Sequence, residues 1–257
     1  MLAELAREEI SAALDTVAGD VLAEVGLRGP PVDAFAVARS LGISVAMDDG
    51  QPGRARYVRL GGHRSAGPRA AILVNPDPRS EREHWAVAHE IGEHVAHRVF
   101  SMLGVDPRET FPNAREAVAN QLAGRLLLPA EWFTADAADC DWDLIELKSR
   151  YRTASHEQIA RRMLQCTPAV IVTIFDHGEV TLRRSNLPGR VPVASRLEMQ
   201  CWRAVHHSGR AQRTYDGHRT IRGWPVHEPG WKREILRTEV EEIADGEIAD
   251  GEIAVDG

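Results

Sequence analysis

The chain has 257 residues (28.4 kDa), 43% hydrophobic and 27% charged, with a formal net charge of −7 and three cysteines. That size suits one large domain or two small ones with a buried core, and no run approaches the roughly 20 apolar residues of a spanning helix, which excludes a membrane protein of that kind. Cys140, Cys166 and Cys201 never stand in Cys-x-x-Cys spacing, which excludes a cysteine-held metal and leads us to expect a reducing, cytoplasmic setting.

Residues 1–19 read as an acidic helical leader without the basic segment or cleavage site of a signal peptide. From residue 20, Val21, Leu22 and Val25, then Val32, Phe35, Ala36, Ala38 and Leu41, keep a helical period that is broken at Gly29-Pro30-Pro31 and stopped at Gly42. Short strands follow at 43–45, 56–60 and 71–75, separated by loops bearing Gly and Pro, as a small sheet requires. The Asn75-Pro76-Asp77-Pro78 turn leads into a helix for which Ser80 is the expected N-cap and Glu83 its capping-box partner. Trp85, Ala88, Gly92, Val95 and Val99 mark the core face of that helix.

Within it, residues 89–94 read His-Glu-Ile-Gly-Glu-His. A helix that carries two metal ligands one turn apart, with a glutamate beside the first, holds Zn²⁺ and a water against a general base. Here Glu93 stands where the second histidine belongs. At about 100° per residue, His89 and Glu93 lie about 40° apart and about 6 Å along the axis, so they can face one ion. His94 is turned about 140° from His89 in a regular helix and reaches the same ion only through a one-residue π-bulge, for which Gly92 is the candidate. The bland alternative is a solvated face rich in His and Glu. A second helix is expected from Asn113 to the stop at Pro129, with Glu116 at its third position sharing a face with Ala119, Asn120 and Ala123. Two alanines there permit close approach to the motif helix and bring the Glu116 carboxylate to the ion.

Beyond Pro129, residues 142–151 and 155–164 form a tightly joined helical pair, capped at Ser155, with the outline of a helix-turn-helix. It either contacts DNA through Arg161 and Arg162 or serves as scaffold. Residues 169–175 and 179–184 alternate as a β-hairpin around Asp176-His177-Gly178. From Arg190 to Glu234, nine Lys or Arg against four acidic residues are interleaved with Trp202, Tyr215, Trp224 and Trp231. Such a mixture suits single-stranded nucleic acid, although closure of a small accessory fold explains the tryptophans more simply. From Glu239 onward there are eight acidic residues and no Lys or Arg, in repeats of Glu-Ile-Ala-Asp-Gly, which read as a disordered solubilising tail. Without it the body is electrically balanced.

The chain resembles the ImmA/IrrE family of metallo-endopeptidases in an ordered series of segments over about residues 20–185. These are Pro30-Pro31-Val32 leading to Leu41-Gly42-Ile43, the strand Ile72-Leu73-Val74-Asn75, the entry Ala88-His89-Glu90, and the glutamate helix from Glu116 that ends in Leu-Leu-Leu-Pro129. The resemblance implies an α+β fold: a zincin-like (gluzincin-like) domain of helices packed on a small sheet, followed by the helical pair, the β-hairpin and a small C-terminal accessory region. The expected divisions are a leader at 1–19, the metallopeptidase-like domain at 20–135, the helical pair plus hairpin at 136–185, the basic and aromatic region at 186–237 and the acidic tail at 238–257.

The resemblance also implies roles. His89 and Glu116 would be metal ligands and Glu90 the general base that takes a proton from water at the ion. Glu93 would be the third ligand, with His94 as its alternative. Ile72, Leu73, Val74 and Asn75, read as a free sheet edge, would hold an extended substrate by strand addition. Zn²⁺ is the expected metal; a site with two carboxylates also admits Mn²⁺ or Fe²⁺. The expected partner is a protein substrate, a DNA-binding helix-turn-helix repressor, with direct nucleic-acid binding as a lesser alternative and no membrane. The departure at Glu93 leaves two activities open, a working metallo-endopeptidase and a catalytically weak recognition module.

Overall fold

The computed structural model describes residues 6–60, 69–110, 113–166 and 168–240. The architecture is α+β, and the chain divides into two compact units, Met1–Arg162 and Met163–Gly257. No helix among the described residues is long and apolar enough to cross a membrane.

In the first unit, α1 (Arg7–Glu24) and α2 (Ala34–Ser40) precede three strands, β1 (Ile43–Met47), β2 (Ala55–Leu60) and β3 (Arg69–Val74). The sheet order is β1-β3-β2; β1 runs parallel to β3 with Val45 opposite Ile72, and β2 runs antiparallel with Tyr57 opposite the same residue. This corrects one expectation, because both sides of β3 are already paired and residues 72–74 cannot add a substrate strand. Among the described residues, the unpaired edges belong to β1 and β2. The uninterrupted apolar run Ala71-Ile72-Leu73-Val74 was the clue, since a central strand covered on both faces needs such a run and a half-exposed edge does not.

The helix α3 (Ser80–Met102) buries Ala88, Gly92, Val95 and Val99, together with Ile91, Ala96 and Phe100; Trp85 is only half-buried. Its start differs by one residue from the expected one. Ser80 is already helical and Arg79 caps without a side-chain bond. Glu83 reaches past the cap to accept the Asp77 N–H at 3.1 Å, while the Asp77 carboxylate accepts the Arg79 N–H at 2.8 Å. After a 3-10 turn at Pro107–Glu109 come α4 (Ala114–Leu127), α5 (Ala130–Asp139), α6 (Leu144–Arg150) and α7 (His156–Met163). The α7 start has the reciprocal cap expected of Ser155: its hydroxyl accepts from Gln158 N–H and the Gln158 side chain accepts from Ser155 N–H.

The α6–α7 pair packs into the first unit. Leu144, Leu147, Ile159 and Ala160 are buried, and the Arg162 side chain, 4% exposed, donates to Asp15 of α1 at 2.8 Å. Arg161 pairs with Glu157 one turn back. The reading of Arg162 as a DNA contact is therefore corrected: it is committed inward, whereas Arg161 remains exposed.

The second unit is a five-stranded antiparallel sheet in the order β5-β4-β8-β7-β6, from β4 (Val170–Asp176), β5 (Glu179–Ser185), β6 (Gln212–Tyr215), β7 (Arg219–Glu228) and β8 (Trp231–Val240). The hairpin falls where sequence placed it, but it belongs to the same sheet as residues 212–240, so the expected divisions near 135 and 185 do not follow the compact units. Helix α8 (Arg196–Ser208), opened by a Ser195–Glu198 capping box, packs Cys201 and Val205 against Phe175, Ile221 and Leu236. Gly223 makes room for it, since a Cβ there would lie 2.8 Å from the Val205 side chain. Trp224 is buried and Trp202 stacks on Phe175, so two of the four aromatics considered for nucleic acid are core. Residues 238–240, assigned to the tail on sequence, are part of β8; the acidic repeats beyond Val240 lie outside the described residues.

Candidate metal centre

Two helices build the site, and glycine sets how closely they approach. A Cβ at Gly92 of α3 would lie 2.7 Å from the Ala119 carbonyl oxygen of α4, closer than any side chain tolerates. With that contact in place, Glu116, nearly one turn before Ala119, reaches His89, nearly one turn before Gly92. Glu116 Oε2 lies 3.6 Å from His89 Nε2. The ligand atoms offered by His89, Glu93 and Glu116 all lie within 4.8 Å of one another, the one such cluster of three or more His, Cys, Asp or Glu among the described residues.

Asn120 orients the imidazole. Its Nδ2 donates to Glu116 Oε1 at 3.1 Å, which leaves its Oδ1 to accept from His89 Nδ1 at 3.2 Å. With the proton on Nδ1, Nε2 and the Glu116 carboxylate meet as acceptor against acceptor, a contact that a divalent cation between them would relieve. The 3.6 Å separation is close to the roughly 3.4 Å between two ligands that each sit about 2.0–2.2 Å from one tetrahedral ion. The donor set therefore fits a divalent metal of the borderline kind. Asn120 was visible in sequence as the i+4 neighbour of Glu116 but had no assigned role.

Glu93 is held from α4. Arg115 Nε lies 2.5 Å from Glu93 Oε2, and its Nη2 donates to the Glu93 carbonyl oxygen at 3.0 Å. Nothing in a motif search draws attention to Arg115.

Glu90 sits beside His89 and is half-buried. Burial pushes its carboxyl pKa above the usual range; the charge of His89 and the Tyr57 backbone N–H that it accepts act against this, while Glu93 and Glu116 add to it. The Tyr57 backbone that opposes the rise belongs to β2. His94 points elsewhere: its Nδ1 lies 2.9 Å from the Tyr57 hydroxyl, and α3 is α-helical without a break, so the bulge that would carry His94 to the ion does not form. His94 is half-buried, and burial lowers its pKa. A depression of about 200 Å³ opens next to the cluster, lined by Arg54, Ala55, Trp85, Ala86, His89 and Glu90.

Residues 38–164 match the model of the family Peptidase_M78, described as the IrrE N-terminal-like domain. The chain carries a Peptidase_M78 domain. All three clustered donors, Glu90 and Asn120 lie inside the matched stretch, and the match to this metallopeptidase family implies a divalent metal. Among solved structures, a Mycobacterium tuberculosis transcriptional regulator is similar, with a TM-score of 0.63 and 20% identity over 91% of this chain and 80% of that one. At that identity the likeness is one of fold. No curated protein matches the sequence.

Proposed function

We propose that this Peptidase_M78 protein is a cytoplasmic metal-dependent endopeptidase that cleaves a regulatory protein, a helix-turn-helix transcriptional repressor being the expected substrate. The observation that carries the reading is the convergence of His89, Glu93 and Glu116 within 4.8 Å, with Glu90 alongside. The family supports a protein substrate, and the likeness to a transcriptional regulator supports a regulatory setting. Zn²⁺ is the proposed metal, with Mn²⁺ or Fe²⁺ as alternatives for a set of one imidazole and two carboxylates.

A bound divalent ion supplies Lewis acidity, which lowers the pKa of water and polarises a peptide carbonyl. The protein does the rest. Asn120 keeps the His89 proton on Nδ1, so that Nε2 ligates. Glu90 accepts a proton from the attacking water and passes it to the departing amine, a role that its raised pKa suits. The free edge of β2 takes over the role first given to residues 72–75. Strand alternation puts the main-chain groups of Ala55 and Arg59 on the same outer side as the Tyr57 N–H, in position to hold an extended peptide beside Glu90. Trp85, Ala55 and Ala86 line the adjoining depression.

The second reading, a peptidase-like recognition module without turnover, is favoured by the carboxylate at 93, which makes the ligand set more negative and weakens the Lewis acid. Incubation of purified protein with candidate repressors and Zn²⁺ separates the two. Cleavage that is lost in Glu90→Gln supports the enzyme; binding without cleavage supports the module.

A further inference from the structure

Arg115 lies outside every motif that points to the metal centre, yet it makes two bonds to one residue of it. Its Nε engages Glu93 Oε2 at 2.5 Å and its Nη2 the Glu93 carbonyl oxygen at 3.0 Å. The fork fixes the carboxylate relative to its own main chain. It also occupies only one carboxylate oxygen, and Oε1 carries no hydrogen bond from any described residue. Arg115 reaches Glu93 because it immediately precedes Glu116, so α4 delivers a ligand and a cation from adjacent positions.

Charge gives this contact its meaning. Two imidazoles and one carboxylate leave a divalent ion with a formal positive charge. Replacing one imidazole with Glu93 cancels that charge and with it part of the ion's Lewis acidity. A guanidinium on Oε2 of Glu93 returns a positive charge to the site and withdraws electron density from the ligand. With its five donors and permanent charge, arginine suits this task better than lysine.

We propose that Arg115 is a positioning residue and charge partner of the metal centre, which orients Glu93 for ligation through Oε1 and offsets the charge introduced by a carboxylate in place of the second histidine. This rests on the metal-site reading above.

The test is a double-mutant cycle read by Zn²⁺ affinity. Full-length protein stripped with chelator is titrated with Zn²⁺ alone against a chromophoric competitor, as wild type, Arg115→Ala, Arg115→Lys, Glu93→His, and Glu93→His with Arg115→Ala. Arg115→Ala should weaken Zn²⁺ binding by about 10- to 100-fold, the usual effect of losing a partner that orients a ligand, and Arg115→Lys by less. In the Glu93→His background the same Arg115→Ala change should alter affinity by less than about threefold, because a neutral imidazole needs no cation. Unchanged or tighter binding in Arg115→Ala would overturn the inference, as would an equal loss in both backgrounds, which would mark Arg115 as merely structural. Wild-type protein that takes up no Zn²⁺ would overturn the metal-site reading itself, and the inference with it.

Discussion

At the residue scale, the site is specified by partners as much as by ligands. In the proposed site, His89 presents Nε2 because Asn120 Oδ1 accepts from Nδ1, and Asn120 is oriented to do so because its Nδ2 donates to Glu116. Asn120→Ala should therefore lower Zn²⁺ affinity by about 10- to 100-fold although Asn120 is not a ligand, measured by competition titration. Asn120→Asp should also fail, since a second carboxylate beside Glu116 cannot donate to it. Glu90→Gln predicts the opposite pattern, with metal content retained and cleavage lowered by about 10²- to 10⁴-fold, the usual share of a general base. The convergence of His89, Glu93 and Glu116 was legible in sequence, because a helix converts spacing into direction. Asn120 and Arg115 were not legible as partners, because their roles depend on how α4 is rolled against α3, which no spacing rule fixes.

At the element scale, the approach of α3 to α4 is the quantity that matters. Sequence reasoning placed the close contact on the alanines of α4, and Ala119 does make it; its counterpart is Gly92, where there is no room for a methyl group. Gly92→Ala should cost about 1–3 kcal/mol of stability through overpacking against backbone that cannot yield, and should loosen the metal site as the helices part. Gly124 of α4 is the internal control. A Cβ there would meet only the Trp85 ring at 3.8 Å, so Gly124→Ala should stabilise by about 0.5–1 kcal/mol through helix propensity alone. Thermal unfolding of the two variants checks both signs.

Helices α3, α4 and α7 were readable because their apolar period and start signals agree. The long strands β7 and β8 were not. In β8, Glu234, Ile235, Leu236, Arg237 and Thr238 are buried in succession, so charged residues occupy core positions and the period-two alternation that marks a strand disappears. Strand order in the first sheet was misjudged for a related reason: pairing is non-local, and only the uniformly apolar character of residues 71–74 hinted at a central place.

At the scale of the whole molecule, the second unit is stabilised by carboxylates that must stay ionised. Burial would push Glu198 up, but Arg183, the Ser195 N–H and the Thr238 hydroxyl outweigh it and hold its pKa below the usual value. Glu234, fully buried, is held low in the same way, with burial outweighed by His227, His206 and Trp202. Carboxyl groups whose folded pKa is depressed contribute stability above their unfolded pKa and lose it as pH falls through the folded one. The unfolding temperature should therefore be insensitive to these groups at neutral pH and drop once pH passes below the ordinary glutamate pKa of about 4.3. Glu198→Gln should be less stable at neutral pH yet show a flatter decline in acid, by calorimetry of the full chain.

The central claim concerns the metal, and the most direct measurement is the metal content of purified protein. The account predicts one divalent ion per chain, lost in His89→Ala and in Glu116→Ala while the fold persists. Wild-type protein that is metal-free after exposure to Zn²⁺, Mn²⁺ and Fe²⁺, with normal thermal stability, would contradict it.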